Sequence, residues 1–437
     1  EEALKLLDDA IAREPDMFQA HATRALIHRQ QQKWDQADTD YLQAIRRAHV
    51  LVQSKALDEQ MVGQLYLDRG LMLVEKIQRL RGDDSKDVRA ALACFDRAQK
   101  HCDRSSDPQP RARALTARGN LLLFREKRPA EAEAAFTEAV RIRPDHADAY
   151  LGRAECRARQ DRHAEAVHDF DRYLALSRTV ASVPARIRAL PAELAAVLGP
   201  GLAGRSPLSF LVSWSETRGE RDKLARSVKE LRNRKTLALV YEGRGRAHVK
   251  QKHLHEAIRD FTRALEFEPD SRTALQLRAW AHLAREEVKS AAADFEALVQ
   301  RDDRNPDTWT GLAIARLRAG RHSDSVAAMR TAVGHDTAGS WQRAMQAARI
   351  CALAADQVLG DRQIVDVQRH QLGHQYALEA VACLQLAFTR VPPANAAQQW
   401  QDLVLKEDVF QRLRGLKEFA DLEDSIARTA RSRTPAK

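Results

Sequence analysis

One recurring spacing constrains this chain more than any other feature: a small residue, a large one four positions on, and another core-type residue three beyond that. It occurs at Ala3/Leu7/Ala10, Ala37/Tyr41/Ala44, Ala91/Phe95/Ala98, Ala132/Phe136/Ala139 and Ala166/Phe170/Tyr173. After a gap it returns at Ala257/Phe261/Ala264, Ala291/Phe295/Leu298, Ser325/Met329/Ala332 and Ala380/Leu384/Ala387. The first members at 3 and 37, 132 and 166, 257 and 291, and 291 and 325 all lie 34 residues apart. A fixed period of this size predicts an array of stacked units, each burying its apolar face against its neighbours rather than in one central core.

The i, i+4, i+7 spacing places all three residues on one face of a helix, here helix B. About twelve residues earlier stands a bulky residue followed four later by a small one: Tyr150/Ala154, Tyr241/Gly245, Leu275/Ala279 and Trp309/Ala313. This is the companion helix A, whose small residue admits helix B at close range. Gly70, Gly119 and Gly245 are read as occupying that close-packing position. Pro15, Pro144 and Pro269 fall five residues after the last signature residue, where they end one unit before the next begins. Ala, Leu, Arg, Glu and Gln dominate, 18 Gly and 14 Pro are spread thinly over 437 residues, and no segment keeps a period of two. An all-α chain without strands is expected.

The stretch Tyr241, Gly245, Ala257, Phe261, Ala264, Pro269 resembles the tetratricopeptide repeat (TPR) pattern throughout, and the resemblance covers about three quarters of the chain. It implies a right-handed α-solenoid of stacked antiparallel helix pairs, with the A helices lining a concave groove for peptide segments of other proteins. By that resemblance the groove candidates are Leu151, Glu155 and Arg159, then Glu242, Arg246 and Lys250, then Gln276, Trp280 and Leu283, then Thr310, Ile314, Leu317 and Arg318. The Lys/Asn clamp that some members use for a terminal carboxylate is missing, since the corresponding position holds Asn120, Glu155 and Arg246 in turn. An amphipathic partner segment is expected rather than a strongly acidic tail, with Trp280 the candidate anchor.

The expected organisation is an N-terminal array at 1–177, an irregular helical insertion or joint at 178–235, three regular repeats at 236–334, a degenerate helix pair with capping helices at 335–422, and a frayed basic tail at 423–437. Between Ala37 and Ala91 the period stretches, and the polar string at 78–87 is read as a surface loop that accounts for part of the excess. Residues 1–12 read as a helix B with no helix A before it, so the chain is expected to be a fragment of a longer protein. The C-terminal strings resemble the end of TPR arrays that follow the catalytic domain of certain bacterial Ser/Thr kinases, with Leu413, Arg414 and Phe419 matching the Leu-Arg-x-x-x-x-Phe half of their closing element, while the spacing from Asp408 to the leucine departs from it. That resemblance implies a second reading, a regulatory segment acting on a kinase domain in cis.

No catalytic chemistry is expected from the chain itself. The string Asp294-Phe295-Glu296 is accounted for by Phe295 as a helix B core residue, and no kinase catalytic loop accompanies it. Gly199, Gly201 and Gly204 match a phosphate-loop spacing but lack a preceding strand, and Pro207 follows where a helix is needed. His370 and His374 stand four apart without a third ligand, and His248, His253 and His255 fall at a helix turn. Neither cofactor nor metal is expected. Lys plus Arg exceed Asp plus Glu by 71 to 61, but the signs alternate and aromatics are sparse, which describes solvated helix faces better than a nucleic-acid surface. The five cysteines are scattered and form no C-x-x-C pair, which suits a reducing, cytoplasmic compartment. No run is long and apolar enough for a membrane span. The expected function is a scaffold for protein–protein interaction.

Overall fold

The low glycine and proline content of the periodic segments lets them run as uninterrupted helices. The computed structural model describes residues 2–80, 84–103, 107–177, 218–301 and 304–431. The helices are α1 (Glu2–Arg13), α2 (Phe18–Gln30), α3 (Trp34–Gln53), α4 (Glu59–Arg79), α5 (Ser85–His101), α6 (Gln109–Phe124), α7 (Pro129–Ile142), α8 (Ala147–Arg159) and α9 (His163–Leu176). They continue with α10 (Arg218–Lys250), α11 (Leu254–Phe267), α12 (Arg272–Ala284), α13 (Val288–Val299), α14 (Pro306–Arg318), α15 (His322–Gly334), α16 (Trp341–Gly360) and α17 (Asp366–Arg390). The end is made of α18 (Pro393–Trp400), a π turn (Gln401–Leu405), a 3-10 segment (Asp408–Gly415) and α19 (Lys417–Arg431). Among the described residues there is no strand. The fold is an all-α solenoid of helix pairs.

Even-numbered helices up to α16 are the A helices and odd-numbered ones up to α17 are the B helices. The chain divides into two compact units, Glu1–Gln251 and Lys252–Lys437. In the first, α2 pairs with α3, α4 with α5, α6 with α7 and α8 with α9, while α10 packs on α9. In the second, α11 packs on α12, and the pairs are α12 with α13, α14 with α15, and α16 with α17. Tyr41, Phe95, Phe136, Phe170, Phe261 and Phe295, the large signature residues, are all essentially fully buried. The exception is α1, which packs on α2 but buries no residue and leaves Leu6 66% exposed.

Glycines let helix A backbones lie against the helix B rings, and at Phe136 they do so from both sides. A methyl group added at Gly70 would come within 2.6 Å of Phe95, and one at Gly119 within 2.8 Å of Phe136, each within its own pair. The next A helix also approaches closely: the added carbon would lie 2.3 Å from Phe136 at Gly152, 2.8 Å from Phe170 at Gly243 and 2.2 Å from Phe295 at Gly311. Only a residue without a β-carbon lets a backbone lie this near a ring. The sequence points to this second set too, since each glycine follows the helix A aromatic by two positions, as in Tyr150-Leu151-Gly152, Tyr241-Glu242-Gly243 and Trp309-Thr310-Gly311.

Three expectations change. The extra length between Ala37 and Ala91 goes largely into α3 and α4, at 20 and 21 residues the longest helices before α10, while residues 78 and 79 belong to α4 and 85–87 to α5. Helix α10 runs without a break across residue 235, so the charged string before it and helix A of the following repeat are one element. The stretch after residue 422 is no frayed tail as far as Arg431, because α19 continues with Leu422 and Ile426 buried. Here Trp400 is wedged between Phe388 and Phe419, with ring centroids 5.1 Å from each.

The A-to-B turns share a backbone device. Gln32, Lys127, Asp161, Lys252, Glu286 and Gly320 all have positive φ, between 55° and 76°, each five residues before the small signature residue of helix B. In five of them the next residue donates its N–H back to the outgoing helix, as Arg162 does to Arg157 O at 2.9 Å and Glu287 to His282 O at 2.9 Å. This is the αL helix stop that glycine adopts without steric penalty. Replacing Lys127 or Glu286 by Gly is expected to raise stability by about 1 kcal/mol, and Gly320→Ala to lower it by about as much. Urea midpoints of the three variants check the signs.

Candidate functional site

Successive A helices lie side by side: α4 touches α6, α6 touches α8 and α8 touches α10 in the first unit, and α12 touches α14 and α14 touches α16 in the second. Each unit therefore presents a face made of A helices alone, and the groove candidates are distributed on it unevenly. Leu283, Leu317, Thr310 and Glu242 are buried, because the neighbouring helix covers them; the two leucines belong to the core of the second unit. Leu151, Glu155, Gln276, Trp280 and Ile314 are half-buried. Arg159, Arg246, Lys250 and Arg318 are exposed.

Several of these side chains already have partners. Arg159 Nε donates to Glu155 at 3.2 Å, Arg246 Nη2 to Glu242 at 3.4 Å, and Arg318 Nη1 to the Leu283 carbonyl at 2.9 Å. Trp280 meets the Phe295 ring edge-on at a centroid distance of 5.4 Å. On the first unit's A face, three apolar residues that the sequence did not single out stand open to solvent: Phe124 at the end of α6, 56% exposed, with Leu239 at 63% and Val249 at 36% on α10. The Arg159 guanidinium sits over the Phe124 ring, 5.1 Å from its centroid. Groove spacing could have found it, because Phe124 stands five residues after Gly119 as Lys250 stands five after Gly245.

Between the helices of a pair runs a second feature. Asp40, Asp169, Asp260 and Asp294 each precede the large signature residue by one position and are buried. Arg153 Nε and Nη2 donate to Asp169 at 2.9 and 2.7 Å, and Arg157 Nη1 adds a bond at 2.8 Å. Arg278 holds Asp294 in the same two-pronged way at 2.8 and 2.7 Å, and Arg24 holds Asp40 at 3.0 and 2.6 Å. In all three pairs the arginine stands sixteen residues before the acid, on helix A. Hydrogen bonding to Asp40 holds the Arg24 guanidinium above its ordinary pKa. These acids are structural struts, which departs from the expectation that the alternating charges are solvated.

A model of one family, described as the tetratricopeptide repeat, matches residues 1–49, 84–147, 116–181 and 243–307. Tetratricopeptide repeats are detected in those segments. The TPR matches take in the B helices that carry Tyr41, Phe95, Phe136, Phe170, Phe261 and Phe295, and they leave residues 50–83, 182–242 and 308–437 outside. Comparison with curated proteins returned no match. Similar solved structures include a tetratricopeptide repeat protein from Parabacteroides merdae, 13% identical over 74% of this chain and 98% of its own, with a TM-score of 0.41. Another is the C-terminal part of a TPR repeat-containing protein from Cytophaga hutchinsonii, at 11% over 74% and 96% with 0.42. A third is YrrB, described as a TPR protein with an unusual peptide-binding site, at 14% over 62% and 95% with 0.36.

The other sequence motifs resolve into packing or lie apart. Asp294 and Phe295 are the strut and ring just described, and Glu296 accepts from Arg316 at 3.3 Å. His370 and His374 are exposed on α17, and no cluster suited to a metal ion occurs among the described residues. The glycine string at 199–204 lies outside the described residues. Leu413 and Phe419 of the closing element are buried in the core of the second unit, whereas Asp408 and Arg414 are exposed. No helix among the described residues is long and apolar enough to cross a membrane.

Proposed function

We propose that the chain is a protein-interaction scaffold whose first unit holds an amphipathic segment of a partner protein along the A helices α6, α8 and α10. TPR proteins typically mediate protein–protein contacts and the fold is generally a non-catalytic scaffold, which supports the class of function. The observation that carries the reading is the open Phe124 ring under Arg159. An apolar side chain of the partner shields that ring. The exposed basic groups Arg159, Arg246 and Lys250 favour carboxylates on the segment's polar side.

The test is a peptide-array selection on the full chain, with the selected peptides measured by fluorescence anisotropy. Phe124→Ala and Arg159→Glu are each expected to weaken binding about tenfold or more, near 1.4 kcal/mol or above, with the melting temperature unchanged. Selected peptides that bind Phe124→Ala as tightly as the parent chain would sink the reading. In the second unit Trp280→Ala is expected to lower stability by about 2–3 kcal/mol because its ring packs on Phe295. Capture there should follow the folded fraction alone.

A further inference from the structure

At the C-terminal end of the second unit the last turns of α17 and one stripe of α19 flank a cavity of about 580 Å³. Its floor is apolar and rigidly set: Phe388, Val391, Ala396, Leu422 and Ile426 line it while being otherwise buried in the core. Its rim carries Glu418 and Asp421 on α19, both exposed, and no basic side chain among the described residues lines it. Neither carboxylate takes part in an ion pair among the described residues, whereas most exposed acids elsewhere in this arginine-rich chain do.

We propose that this groove docks a basic amphipathic segment of a partner protein, separate from the A-helix face. The volume lies within the range of ordinary ligand pockets and accepts one or two large apolar side chains. The lining residues of α19 run from Glu418 to Ile426 at helical spacing, which spans about 12 Å, roughly two turns of a docked helix. Anchors at i and i+4 of such a helix reach the floor formed by Phe388 and Leu422, and lysines or arginines beside them meet Glu418 and Asp421. Charge complementarity decides the sign of the partner. The chain as a whole is positive by ten, so its general field repels a basic segment and a locally acidic, apolar-floored groove is where one can be retained.

The probe is a fluorescently labelled synthetic helical peptide of Leu, Ala and Lys, compared with its counterpart carrying Glu at every Lys position. Anisotropy titrations on the full chain are expected to show binding of the lysine peptide and at least tenfold weaker binding of the glutamate one. Charge reversal by Glu418→Lys together with Asp421→Lys is expected to weaken the lysine peptide tenfold or more. Thr389→Trp, which fills the mouth from an exposed position, should do the same without moving the melting temperature. Phe124→Ala should leave this binding unchanged, which separates it from the A-face reading. The proposal is overturned if the lysine peptide does not bind, if both rim and mouth variants bind it like the parent chain, or if Phe124→Ala removes the binding.

Discussion

Asp169→Ala is expected to destabilise the chain by about 3–5 kcal/mol, the largest effect of any single charged residue in the first unit. The carboxylate is fully buried and takes three hydrogen bonds from Arg153 and Arg157. Its removal strands Arg153, a nine-tenths buried cation with no other carboxylate bonded to it among the described residues, while Arg157 keeps Glu133 at 3.1 Å. The cost comes from that uncompensated charge and not from the net strength of the pair. Two comparisons separate these effects. Glu266→Ala, which breaks an exposed pair with Arg263, should cost no more than about 1 kcal/mol. Asp169→Leu combined with Arg153→Met, which removes both partners, should recover much of the loss. If Asp169→Ala shifts the urea midpoint no further than Glu266→Ala does, the strut is not a strut.

Gly311→Ala is the second large effect, at about 2–3 kcal/mol. Its new methyl group would lie 2.2 Å from the Phe295 ring, and that ring, fully buried beside Trp280, cannot withdraw. Adding volume at a filled contact forces the backbones of α13 and α14 apart instead of filling a void. Gly360→Ala provides the control, because nothing stands within 4 Å of the added carbon; there the change should be neutral or stabilising by a few tenths of a kcal/mol. A second substitution, Phe295→Leu in the Gly311→Ala background, should restore part of the loss. Thermal melts of the four proteins decide it, and equal destabilisation by both alanines would show that helix propensity rather than the interlock is being measured.

The stacking of the helices was legible because it depends on side-chain size at fixed spacing, and Tyr41, Phe136 or Phe295 cannot be solvated without loss of the fold. The struts were legible as letters but not as meaning. Asp169-Phe170 and Asp294-Phe295 repeat in register with Arg153 and Arg278, yet charged residues are so often solvated that alternation of sign concealed the buried subset. The A face was harder. Whether Leu283, Leu317, Thr310 and Glu242 reach solvent depends on how closely consecutive A helices approach, a tertiary distance that no single repeat encodes. Phe124 was open to inspection at the equivalent position to Lys250, because Leu115 and Gly119 repeat the bulky-then-small pair of Leu275 and Ala279. The long α3, α4 and α10 carry no stop signal that the local sequence makes obvious, so their lengths are set by the neighbours they cover.

Phe136 rests on Gly119 from one repeat and on Gly152 from the next, so the ring is common property of two repeats. No cut between α7 and α8 leaves two finished surfaces: one piece ends in a bare phenyl face, the other begins with a notch that nothing fills. The smallest separable brick of this array is therefore A–B–A, longer than the 34-residue period by one helix. Shortened versions of the chain should stop after an A helix, and any duplication or loss of repeats compatible with folding must carry the following glycine along with the ring it receives.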